Sequence, residues 1–117
     1  MLTRRQPEQR PSNTLEYGDL RLEPDTLQLS CGERSVRLSR KEFDLMELLM
    51  RSGDMVLTKE QLILKVWGYE SEAEDNNVEV YVSFLRKKLE HLRSAVKIRT
   101  IRMVGYRLSR EPEPAER

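Results

Sequence analysis

At 117 residues the chain has room for one domain of ordinary size and too little for two. Hydrophobic residues make up 38% and charged ones 35%, so a compact core under a heavily charged surface is expected, and no apolar run reaches membrane-spanning length or forms a signal-peptide core. The formal net charge of +1 hides a split: Glu70, Glu72, Glu74, Asp75 and Glu79 crowd Gly68–Val80 without a base, whereas Leu85–Arg110 sets nine bases against the single acid Glu90.

In chain order, residues 1–13 come first, and "TRRQPEQRPSN" carries two prolines and no aliphatic or aromatic residue, so this stretch reads as an interdomain linker. Leu15–Tyr17, Leu20–Glu23, Thr26–Ser30 and Arg34–Leu38 are short alternating segments separated by "GD", "PD" and "CGE", which supply turn chemistry. Leu20 and Leu22 share a face, as do Leu27 and Leu29, and Val36 and Leu38. A small antiparallel sheet with one buried face is expected.

Two helices then carry full start signals. In "LSRKEF" Ser39 is the N-cap, Glu42 reaches back from the third position, and Leu38 can staple onto Phe43. "LTKEQL" repeats the pattern with Thr58, Gln61, and Leu57 against Leu62. Gly53 ends the first helix and Gly68 the second, just after Val66 and Trp67. The acidic loop "GYESEAEDNN" follows, and then a third helix over about 76–92, capped by Asp75 or Asn76. Last, "VKIRTI" and "YRL" alternate around "RMVG", predicting a β-hairpin over about 96–108 with Gly105 in the turn.

The third helix raises a question. Val78, Val82, Leu85, Leu89 and Leu92 form a complete core stripe, yet Val80 and Phe84 are apolar on the opposite side, among Asn76, Ser83 and Lys87. A strand cluster, three helices and a hairpin make an α+β domain. The last two helices form a helix-turn-helix with a long turn, whose outer face is free to enter a major groove. Arg86, Lys88 and the hairpin arginines then stand where phosphates flank such a helix.

"LSRKEFDLMELLM", "VLTKEQLILKVWG", "NNVEVYVSFLRKKLE" and "TIRMVGYRL" together resemble the successive signatures of the OmpR/PhoB-type winged-helix domain, the DNA-binding output module of two-component response regulators. The resemblance runs from about Leu15 to Leu108 and implies a four-stranded N-terminal sheet, three helices and a hairpin whose turn is the wing. It also implies a winged-helix domain over 14–109, a disordered tail over 110–117, and an upstream receiver domain with its sensor kinase; "MLTRR" looks like the end of a receiver's last helix. Sequence-specific binding of double-stranded DNA in transcriptional regulation is the expected function. A winged helix that docks a protein through its apolar outer residues is the alternative.

The resemblance also implies roles for single residues. Arg102 enters the minor groove from the wing, or is a solvated hairpin arginine. Thr100 contacts phosphate or is a plain strand residue, and Trp67 packs while offering its indole N–H to a phosphate. Arg86 and Lys87 meet phosphate or the groove, or form a solvated basic helix end. Relatives commonly place an arginine at the position of Phe84 and a base at that of Ser83; neither is present here. Val80 and Phe84 are then suited to thymine methyls, and Asn76 or Asn77 to an adenine edge or a phosphate, unless Phe84 bends back to cap the core. Glu70, Glu72, Glu74 and Asp75 correspond to a loop that touches RNA polymerase in similar proteins, or are simply solvated.

Cys31 has no partner for an internal disulfide, which points to a reducing, cytoplasmic setting. His91 and Cys31 are single copies that complete no metal set, and no catalytic constellation or cofactor motif can be assembled. No enzyme activity, cofactor or membrane partner is expected.

Overall fold

The computed structural model describes residues 14–68 and 75–110, with the side chains of Asp75 and Asn76 left out. Strands β1 (Leu15–Tyr17), β2 (Leu20–Glu23), β3 (Gln28–Cys31) and β4 (Arg34–Arg37) pair antiparallel in chain order. Leu20 and Leu22 are buried while Arg21 between them is exposed, so alternation sorts the two faces of β2 as expected. By contrast, β3 buries the adjacent Leu29 and Ser30, and Leu27 does not share a strand face with Leu29. The third strand begins at Gln28 and not at Thr26. Leu27 takes a positive φ of 56°, which interrupts an extended run. Its carbonyl accepts the Leu38 N–H at 2.8 Å, and its side chain packs against the core from the turn.

Helix α1 (Arg40–Ser52) starts on the expected capping box: Glu42 N–H donates to Ser39 Oγ at 3.3 Å and Ser39 N–H donates to Glu42 Oε1 at 2.7 Å. Gly53 closes it with φ 62°, its N–H shared between the Leu49 and Met50 carbonyls. Helix α2 (Lys59–Val66) repeats the box with Thr58 and Gln61. It ends at Trp67 and Gly68, both of whose N–H groups donate to Ile63 O.

Helix α3 (Asp75–Leu92) buries Val78, Val82, Leu85, Leu89 and Leu92 against α1, α2, β4 and β6 (Lys97–Ile101). Asp75 and Asn76 already lie inside this helix, and the residues before it lie outside the described ones. Its far end stops on a non-glycine residue, Arg93, with φ 59°. The Asp19 carboxylate steadies the exit, accepting from the Ser94 hydroxyl at 2.5 Å and the Ala95 N–H at 2.9 Å. Burial pushes the Asp19 carboxyl up, but these hydrogen bonds outweigh it and hold the group below the usual carboxylate range.

The C-terminal hairpin belongs to a larger sheet than the sequence suggested. Strand β6 pairs with β7 (Gly105–Ser109), and β7 pairs on its other edge with β5 (Leu57–Thr58), the short run before α2. Gly105 is therefore not a turn residue. It opens β7, and a Cβ placed there would collide with the Leu57 carbonyl, so the close pass of β5 requires a glycine. The turn itself is Arg102–Met103–Val104, closed by Val104 N–H donating to Ile101 O at 2.9 Å. Met103 takes φ 63° there, a left-handed conformation that costs a non-glycine residue about 1–2 kcal/mol. One contiguous core joins both sheets and all three helices in a winged-helix arrangement.

Candidate nucleic-acid interface

With its core stripe sealed, α3 turns an unusual face outward. Val80 is 44% exposed and Phe84 43% exposed, one helical turn apart, and Ser83 and Lys87 beside them are exposed. Phe84 does not fold back into the core. Its ring meets Tyr81 edge-on, with centroids 5.6 Å apart at 79°, and Tyr81 meets Trp67 in the same way at 5.5 Å and 62°. Tyr81 and Trp67 are only partly buried and pack on the core, so an aromatic ladder climbs from the end of α2 to the exposed face of α3. Lys41 fixes the base of the ladder: its Nζ donates to Val66 O at 2.9 Å and lies 5.8 Å from the Trp67 ring centre.

Tyr81 is not among the site residues expected from the sequence. Its spacing of three from Phe84 is the signal that points to it, because residues at i and i+3 meet on one helix face.

The bases on α3 divide by direction. Arg86 reaches sideways to the wing, its guanidinium donating to Ile98 O at 2.7 and 3.1 Å and to Thr100 Oγ1 at 2.9 Å. It braces α3 to β6. Thr100 accepts this bond with its oxygen and keeps its hydroxyl proton for another acceptor.

Lys88 is drawn to the flank of α3 opposite Arg86, donating to Glu42 Oε1 at 2.6 Å and to Arg37 O at 3.0 Å. The expectation that Lys88 stands beside the groove face to meet phosphate is thus corrected: it ties α3 to α1 and β4. Glu42 is buried, which raises its pKa, but Lys88 and the Ser39 N–H prevail and hold it below its ordinary value. Lys87 is the exposed base on the outer face.

At the wing tip Arg102 is exposed and Met103 is 97% exposed, with Val104 half-exposed beside it. Asn77 is partly buried near the start of α3. Glu70, Glu72 and Glu74 lie outside the described residues, as do the side chains of Asp75 and Asn76. Among the described residues, no helix is long and apolar enough to cross a membrane.

A sealed three-helix core, a groove-sized helix with a free outer face, and a three-stranded wing define the class of winged-helix domains. The family described as "Transcriptional regulatory protein, C terminal" matches residues 32–108. The chain is 46% identical over 97 residues to the transcriptional regulatory protein DltR of Streptococcus agalactiae, covering 83% of this chain and 43% of DltR. It is 42% identical over 110 residues to the transcriptional regulatory protein TcrA of Mycobacterium tuberculosis, covering 94% and 43%. Among solved structures, the Klebsiella pneumoniae RstA DNA-binding domain, crystallised in complex with the RstA box, superposes with a TM-score of 0.70 at 28% identity, covering 85% of this chain and 99% of that one. The chain belongs to the OmpR/PhoB-type family of response-regulator effector domains. It spans less than half the length of the regulators it matches.

Proposed function

We propose that this domain binds double-stranded DNA sequence-specifically in transcriptional control, with α3 in the major groove and the wing in the minor groove. The observation that carries the reading is the free outer face of α3, held on a winged scaffold whose tip presents an exposed arginine. RstA, which shares the fold, was crystallised with its DNA box.

Val80 and Phe84 are assigned to thymine C5-methyls, the apolar feature of the major groove. Ser83, Asn76 and Asn77 offer hydrogen bonds to base edges or phosphates, and Lys87 a charge to the backbone. Trp67 offers its indole N–H, and Thr100 its hydroxyl proton, to phosphates. Arg86 acts mainly by holding α3 and the wing at a fixed spacing, and Arg102 enters the minor groove. In a full-length regulator an upstream receiver domain and a sensor kinase would control the domain, and the acidic loop with Glu70, Glu72, Glu74 and Asp75 would face RNA polymerase.

The exposed apolar pair also favours a second reading, a module that docks another protein. The two readings differ in salt dependence. A duplex is first selected from a random-sequence pool with the domain, and its affinity is then measured over a salt series. The DNA reading predicts that log K falls against log salt with a slope of about −3 or steeper, as Lys87, Arg102 and neighbouring bases displace counter-ions. Failure to enrich any duplex, or a slope near zero, favours the protein-docking module.

A further inference from the structure

The wing tip carries an apolar side chain that the fold itself does not use. Met103 takes a left-handed φ of 63° in a tight turn where glycine or asparagine is the unstrained choice. Its side chain is 97% exposed, so the free domain recovers nothing for that strain through packing. The root beneath it is rigid: β7 lies between β5 and β6, Gly105 is locked under the Leu57 backbone, and Arg86 ties β6 to α3. Such a root can hold a strained residue at a fixed place. Arg102 adjoins Met103 on one side and half-exposed Val104 on the other, so the tip is a cation next to an apolar wedge.

That chemistry matches the minor groove. Cations are drawn to its negative potential, and apolar side chains such as methionine or leucine slide between its sugar walls or into a base step. We infer that Met103 is an apolar minor-groove contact, inserted beside Arg102 at the floor of an A·T-rich stretch, where no exocyclic amino group blocks entry. The inference rests on the DNA-binding reading above and adds a residue whose role depends on shape and not on charge.

The test uses a duplex selected by the wild-type domain, and the same duplex with 2,6-diaminopurine in place of adenine under the wing. That substitution adds an amino group to the minor groove floor and leaves the major groove unchanged. Three proteins are compared: wild type, Met103→Gly and Met103→Leu. Met103→Gly relieves the left-handed strain and should melt no lower than wild type, so weaker binding cannot be put down to unfolding.

Expected are a five- to tenfold loss of affinity for Met103→Gly on the adenine duplex, near-complete rescue by Met103→Leu, and a smaller diaminopurine penalty for Met103→Gly than for wild type. Wild-type affinity in Met103→Gly overturns the inference. So does an equal diaminopurine penalty in both proteins, which would leave the groove contact to Arg102 alone. A wild-type domain that selects no duplex at all overturns the DNA-binding reading, and the wedge with it.

Discussion

Two single residues show how burial and exposure give similar side chains different roles. Glu42 caps α1 and pairs with Lys88 while almost wholly buried, whereas Glu79 pairs with Lys59 at an exposed surface. Exposed pairs of this kind contribute little. Glu42→Gln keeps the capping acceptor and loses the charge, so it should cost about 1–2 kcal/mol in urea unfolding at pH 7. Glu42 and Asp19 both titrate below their unfolded values. The stability they bring is therefore fully present above the unfolded carboxyl range, about pH 4, and is lost as pH falls through the folded values. Unfolding free energy measured from pH 6 down to pH 3 should fall less steeply in Glu42→Gln than in wild type; equal slopes would remove Glu42 from the acid response.

At the wing, Arg102→Ala should weaken DNA binding by about 1–2 kcal/mol, and more on sites with an A·T-rich segment beneath it. An equal loss on G·C-flanked sites would make the arginine a phosphate contact only.

At the level of elements, the parts legible in the sequence are those written in local spacing. The two capping boxes, the five-residue core stripe of α3 and the alternating β2 depend on residues within a turn or two of one another, and the structure has them. What escaped depends on distant partners. Strand β5 is two residues that also serve as the lead-in and cap of α2, so nothing local marks Leu57–Thr58 as the partner of β7. The same blindness placed Gly105 in the turn, set Lys88 beside the groove, and gave no sign that Arg86 is spent on β6. Of the candidate site, the exposure of Val80, Phe84 and Lys87 is readable from the helix period. The ladder beneath Phe84 is not, because it needs Trp67 of another helix to complete it.

The β5–β7 contact supplies its own test. Gly105→Ala forces a methyl into the Leu57 backbone, so β5 and β7 must separate. A loss of at least about 3 kcal/mol in urea unfolding is expected. A near-neutral effect would mean that the two strands do not approach as closely as the fold requires.

For the whole molecule, the core stripes of α1, α2 and α3 all meet one another or the sheets, and among the described residues no long apolar stripe is left for a dimer. The isolated domain should sediment as a monomer and pair only on DNA, head to tail on two direct-repeat half-sites about one helical turn, roughly 10–11 base pairs, apart. A tight dimer without DNA would contradict this.

On the proposed DNA-binding reading, the outer face of α3 reads bases with apolar groups. Replacing thymine by uracil in the selected half-site tests it directly, because only the C5-methyl is removed. Each methyl taken away from the face should cost wild type about 0.8 kcal/mol of binding, and Phe84→Ala should suffer less from the same substitution. If wild type is indifferent to the missing methyls, or the mutant is weakened as much as wild type, Phe84 does not read thymine and the account of this face is wrong.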